Sequence, residues 1–203
     1  MTIRKTDTKN KIKKSLVYLI NTKGFEALTV SDITRHSQIN RGTFYLHYID
    51  KYDLLEKLEE EAENELRYIL SYNIESYSIK DRKNSDLKDI VPYENILNAL
   101  IYINNDSNFI KALMGENGNP RFVEKFKNLL REVVKKFNQC HIDKGNDKKI
   151  PKEYILEIII TGIISIVTMW IKRDFKETPQ QIADIISESR SISPIEFLAL
   201  LNE

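Results

Sequence analysis

The chain has 203 residues, 41% of them hydrophobic, with 31 Lys+Arg set against 30 Asp+Glu. That apolar share excludes a disordered chain, and the charge balance excludes a uniformly basic nucleic-acid coat protein. Six Gly and five Pro are few for turn-rich β or doubly wound folds, and the single Cys140 excludes an internal disulfide framework.

The near-zero net charge conceals a split. Residues 1–51 carry +6 and residues 52–203 carry −5, a small basic head on a mildly acidic body. The first residues, M-T-I-R-K-T-D-T-K-N-K, contain no apolar run of the signal-peptide kind. The most apolar stretch, Ile155–Ile171, is interrupted by Glu157, Thr161, Ser165 and Thr168. It falls short of the ~20 clean apolar residues that a membrane span needs. A cytoplasmic protein without a membrane partner is expected.

Helical periodicity runs through the chain. Ile12, Leu16, Leu19 and Ile20 share one face of a first helix that ends at Gly24. Thr29 caps a second helix, with Asp32 in the capping-box position. A break at Ser37–Gln38–Ile39 leads to Asn40, the cap of a third helix from Arg41 to about His47. Asp50 caps a fourth, predicted from Lys51 to about Tyr77, with Asp53 at its third position. Leu54, Leu55, Leu58, Ala62, Leu66 and Ile69–Leu70 mark its buried stripe, and Glu56, Glu59, Glu60, Glu61, Glu63 and Glu65 its wet side. Residues 78–91 read as a linker. Helices follow over Pro92–Asn104, Ser107–Met114, Arg121–Phe137, Pro151–Phe175, Pro179–Ser189 and Pro194–Leu201. Turns are predicted at Gly115–Pro120 and Asp143–Pro151. The expected fold is all-α with about ten helices: a three-helix domain at 1–50 and a helical regulatory and dimerisation domain at 51–203.

Two short helices separated by a tight break, T-V-S-D-I-T-R-H-S-Q-I-N-R-G-T-F-Y-L-H-Y-I-D-K at 29–51, have the helix-turn-helix layout. Its second helix enters the major groove of a duplex while the first braces the backbone. Val30, Ile33, Ile39 and Phe44 suit the small core of such a unit. Arg41 can donate to guanine O6/N7 or to phosphate, Thr43 can meet a thymine methyl, and Gly42 permits close backbone approach. Tyr45 and His47 complete the exposed set. Lys51 starts a helix, where the dipole disfavours a cation, and a phosphate held there would account for it. Asp50, the cap beside it, opposes such a phosphate. A basic start, Arg4, Lys5, Lys9, Lys11, Lys13 and Lys14, adds electrostatic attraction to DNA.

The pattern T-V-S-D-I…N-R-G-T-F-Y-x-H-Y…K-x-D-L-L at Thr29–Leu55 resembles the DNA-binding domain of TetR-family transcriptional regulators. The resemblance implies DNA contacts for Thr29, Arg41, Gly42, Thr43, Tyr45, His47 and Lys51, mostly to phosphates. It also implies a homodimer on a palindromic double-stranded operator, acting as a repressor released by an unknown small-molecule or protein effector. The chain departs from the family pattern at Gln38, where glycine is usual, at Thr34, where a small residue is usual, and at Asn40 in place of Ser. Ala112–Phe122 and Gly162–Ile171 resemble the C-terminal domain of Firmicutes members.

The apolar helix at 155–171 needs more than one packing partner, since 12 of its 17 residues are apolar. A dimer interface at Ile159, Gly162, Ile163, Ile166, Ile182 and Ile186 is the expectation. Tyr93, Tyr102, Phe109 and Trp170 are candidates for an effector pocket. No cofactor, metal site or catalytic residue is expected. Cys140 and His141 are helix neighbours and point apart, and three His with one Cys make a poor metal set. The alternative reading is a helical interaction module, or a coactivator-dependent activator of the same fold with no small-molecule effector.

Overall fold

A computed structural model describes residues 2–73, 91–114, 120–141 and 151–189. The described residues fold into nine helices and no strand. These are α1 Thr2–Lys23, α2 Val30–His36, α3 Arg41–Tyr45, α4 Lys51–Ser71, α5 Tyr93–Asn105, α6 Ser107–Met114, α7 Pro120–His141, α8 Lys152–Lys172 and α9 Pro179–Glu188. The all-α expectation holds. The expected linker at 78–91, both polar turns and the helix at 194–201 fall wholly or largely outside the described residues.

Two units divide the chain, one formed by Met1–Glu65 with Asp106–Glu124, the other by Leu66–Asn105 with Lys125–Glu203. This division passes through α4, and α6 groups with the N-terminal unit. The reason is burial. Phe109, Ile110, Ala112 and Leu113 of α6 are all buried, and α6 packs against α1. Lys13 of α1 bonds the Asp106 carboxylate and stands 4.1 Å from the centre of the Phe109 ring.

Local signals set the N-terminal helices. Ile12, Leu16, Leu19 and Ile20 are buried on one face of α1. Gly24, at φ +77°, ends that helix by returning its N–H to the Ile20 carbonyl at 2.9 Å. Thr29 and Asp32 form a full capping box on α2. Asn40 Oδ1 accepts from the Thr43 N–H at 2.7 Å and starts α3. Asp50 Oδ1 takes the N–H groups of Tyr52 and Asp53 at 2.9 and 2.8 Å, and Asp53 Oδ2 takes that of Ile49 at 2.8 Å. The apolar stripe of α4 is buried as expected, but Glu59 is buried too, because it lies on the same face as Leu55, Ala62 and Leu66. Helix α4 stops at Ser71, short of Tyr77; Asn73, at φ +53°, has left the helical region.

In the second unit α9 packs against α5 and α8. Buried Asn95 of α5 donates to the Leu70 and Tyr72 carbonyls at 3.1 and 2.9 Å, satisfying the free end of α4. Trp170 is buried and gives its indole N–H to the Glu177 carbonyl at 2.8 Å. A small cavity of about 30 Å³ opens among Leu70, Ile96, Leu100, Phe126, Ile163 and Val167, with only apolar side chains around it.

Helix α8 is the one helix among the described residues long and apolar enough to cross a membrane by length and composition, contrary to the sequence expectation. Yet only 28% of its apolar stretch is buried within the protomer. Ile182 and Ile186, expected at an interface, are instead 3% and 1% exposed in the protomer's own core. Ile159, Ile163 and Ile166 are half-buried, and Gly162 is exposed. The apolar side chains left outside are Tyr154, Ile158 and Met169 of α8 and Ile185 of α9. An amphipathic helix buries its most apolar face first, so Ile182 and Ile186 of α9 turn inward while Ile185 stays outside.

Candidate nucleic-acid interface

The turn between α2 and α3 is held from both sides. Ser37 Oγ donates to the Ile33 carbonyl at 2.6 Å, and the Ile39 N–H returns to the Thr34 carbonyl at 3.0 Å. Gln38 adopts φ +56° between them, so it takes the left-handed conformation without glycine's freedom. Ile33 and Phe44 are fully buried beneath the pair, and Tyr48 packs against Phe44.

Above this core α3 presents its polar side. Arg41, Gly42 and Tyr45 are exposed, and Thr43 and His47 are half-buried. The Arg41 guanidinium donates to Ser31 Oγ of α2. Thr43 Oγ1 donates to Asn40 Oδ1 at 2.9 Å, which fixes the Thr43 methyl and hydroxyl in one rotamer. A Cβ added at Gly42 would meet Asn40 Oδ1 at 3.3 Å, so the position is tight against the cap. Thr29, exposed at the start of α2, bonds the Asp32 carboxylate through both its N–H and its hydroxyl.

Three features of this surface were not visible in the sequence. Ser31 holds the Arg41 side chain. Leu46 and Ile49 are 82% and 77% exposed, the most exposed apolar side chains beside α3. His36 accepts or donates at Nδ1 with buried Ser15 at 3.0 Å and stacks on Tyr18. A count of residues between positions could have suggested Ser31, which sits two after the cap Thr29 on the side facing α3.

Charge is organised around Asp32. Its hydrogen bond with Lys23, followed by those from Thr29, holds its carboxyl well below the usual carboxylate range. Lys23 and Arg35 pair with it at 2.7 Å each. Asp53 is likewise lowered, first by the Ile49 N–H and then by Lys57.

Lys51 stands apart from the expectation of a phosphate held at the start of α4. Its ammonium donates to the carbonyls of Phe25, Glu26 and Leu28 at 3.1, 2.9 and 3.1 Å. The helix-start N–H groups of Tyr52 and Asp53 are taken by Asp50. Of the expected pocket residues, none borders the cavity in the second unit. Phe109 belongs to the first unit, Trp170 is spent on Glu177, and Tyr93 donates to Asp184 of α9 at 2.5 Å. Tyr102 is half-buried.

Two family models match. Residues 16–58 match the bacterial regulatory proteins of the tetR family, and residues 91–190 match a transcriptional regulator C-terminal region. Among curated protein sequences none matches the chain. Solved structures similar to it include a TetR transcriptional regulator from Streptococcus agalactiae, 20% identical, covering 91% of this chain and 94% of that one, with TM-score 0.60. Another is the dihydroxyacetone kinase operon activator DhaS, 20% identical, covering 90% and 93%, with TM-score 0.55. A third is NalD of Pseudomonas aeruginosa, the secondary repressor of an efflux pump, 18% identical, covering 90% and 94%, with TM-score 0.59. With its helix-turn-helix at Val30–Tyr45 and both family matches, the chain belongs to the TetR family of DNA-binding transcriptional regulators.

Proposed function

We propose that the protein is a homodimer that reads a palindromic operator through α3 and acts in the cytoplasm as a ligand-responsive repressor. The observation that carries the reading is the exposed side of α3, where Arg41 and Tyr45 project beside Thr43 and His47 while α2 is double-capped behind them. A braced helix with a forked cation at its first turn suits base-edge and phosphate contact. In vitro selection of bound duplex fragments tests this. A short palindromic consensus is expected, and Arg41→Ala should weaken binding to it by about 1–3 kcal/mol and relax preference at one base pair per half-site. Enrichment of no sequence, or unchanged affinity in the variant, would sink it.

Dimerisation is supported by the uncovered apolar side of α8 with Ile185 of α9. A long helix that buries little of itself in its own chain is suited to a second copy. Repression released by a ligand follows the family resemblance, with α4 as the lever because it runs unbroken from Lys51 beside the DNA-reading helix into the second unit. The domain split at residues 50 and 51 is kept only in this functional sense, the first part reading DNA and the rest regulating.

A second reading has its own observation. The cavity is small and bordered by apolar groups alone, which suits no polar metabolite. An activator that answers to a protein partner fits that better, and one similar structure carries the name of an operon activator. A reporter under the selected operator separates the two: loss of the gene raises expression for a repressor and lowers it for an activator.

A further inference from the structure

We infer that Leu46, with Ile49 three residues on, is an apolar reader of a thymine methyl in the operator half-site. The inference rests on the reading of α3 as the operator-contacting helix. Leu46 and Ile49 are the most exposed large apolar side chains among the described residues. A single exposed leucine on a protein surface needs no explanation. Two such side chains where the DNA-reading helix ends are a different matter, because they extend the surface that Arg41 and Tyr45 open. Both stand on fixed backbone. The Leu46 N–H bonds the Gly42 carbonyl at 3.1 Å, and the Ile49 N–H bonds Asp53 Oδ2 at 2.8 Å. Gly42 lies one turn before Leu46 on the same side of the helix. It carries no side chain that would hold this side off a duplex.

The chemistry of the groove selects the partner. An isobutyl side chain neither donates nor accepts a hydrogen bond, so phosphate oxygens and the polar atoms of base edges offer it nothing. In the major groove, which a reading helix enters, the apolar group on display is the thymine C5 methyl. Contact between that methyl and Leu46 takes both out of water. Ile49 widens the apolar ground around the contact. No phosphate is neutralised, so the contact adds sequence preference without adding salt dependence. Thr43 carries a second methyl on this surface, in a rotamer fixed by Asn40, and is the internal control.

Deletion of single methyls from the DNA tests the inference. The full chain is titrated with the selected operator and with duplexes carrying deoxyuridine at one thymine at a time in one half-site. Each change removes a methyl and keeps every hydrogen-bonding atom of the base pair. At one thymine, uracil should weaken wild-type binding about fourfold, the worth of one buried methyl. Leu46→Ala, alone or joined by Ile49→Ala, should bind the thymine and uracil forms of that duplex alike. The slope of log K against log[salt] should stay that of the wild type. Thr43→Ser, which drops only a methyl, should keep the discrimination that Leu46 supplies. Wild-type binding unmoved by uracil at every thymine overturns the inference, and that arm needs no variant to fold. A selected half-site without thymine overturns it too. So does a uracil cost that survives in full when Leu46→Ala and Ile49→Ala are combined. A wild-type chain that selects no operator instead refutes the DNA-reading proposal itself, a separate outcome.

Discussion

Gln38 is where the backbone of the head is most strained, at φ +56° in the helix-turn-helix break. A non-glycine residue there costs about 1–2 kcal/mol, partly offset because glycine loses more freedom on folding. Gln38→Gly should therefore raise the stability of the chain by about 1 kcal/mol, read as a higher denaturation midpoint at unchanged slope. A lower midpoint would show that the Gln38 side chain supplies more than its backbone costs. Acid should act on Asp32 and Asp53. Their folded values lie below the ordinary ones, so the stability they add is complete above the unfolded value of about 4 and is lost as pH falls through the folded value. Asp32→Asn should flatten the fall in melting temperature between about pH 5 and 2; an unaltered acid limb would remove Asp32 from the account. Residues of this kind were legible because their partners are near in sequence. Thr29 with Asp32, Asn40 with Thr43 and Asp50 with Asp53 are each three residues apart. Lys51 was not legible, because its acceptors lie 23 to 26 residues away and only the folded chain brings them to it.

Among the elements, α8 carries the sharpest test. Gly162 is exposed, and a Cβ built on it meets nothing within 4 Å in the protomer. Alanine in a helix interior is favoured over glycine by about 1 kcal/mol, so Gly162→Ala should stabilise an isolated protomer. If a second copy packs closely there, the same change weakens the dimer, and the two effects separate on dilution. Ile158→Glu and Met169→Glu, at positions 69% and 62% exposed, should cost the protomer little and shift sedimentation to the monomer. A wild-type chain that is monomeric at every concentration would end the dimer proposal. The sequence located this helix and its wide apolar surface. It did not say which isoleucines face outward, because a helix apolar nearly all round has no period that separates core from interface. For α9 it chose Ile182 and Ile186, which the protomer buries, over Ile185, which it leaves 44% exposed. Tertiary packing makes that choice, and residue type alone does not encode it.

Across the whole molecule the balance of charge becomes a statement about selectivity. The basic head attracts any duplex, and the acidic residues that follow it oppose indiscriminate coating. Reach decides which of them count. Lys57 of α4 donates to the His47 carbonyl at 3.3 Å, so the second turn of α4 lies beside the DNA-reading helix, and Glu56 is its exposed neighbour. Glu65 is exposed as well, but at 1.5 Å per residue it lies about 13–14 Å further along the axis. Screening falls off over about 8 Å at physiological salt and about 30 Å at 0.01 M. One charge pair near 10 Å in water is worth about a factor of two before screening, so Glu56→Gln should raise affinity for a random duplex about 1.2-fold at physiological salt and about 1.6-fold at 0.01 M. Glu65→Gln should do so only at the lowest salt, and neither should change the selected consensus, since neither reaches a base edge. Filter-binding titrations of both variants across salt check this. Equal effects of the two at physiological salt, or an altered consensus, would mean that the acidic body acts through the fold of the head and not through its field.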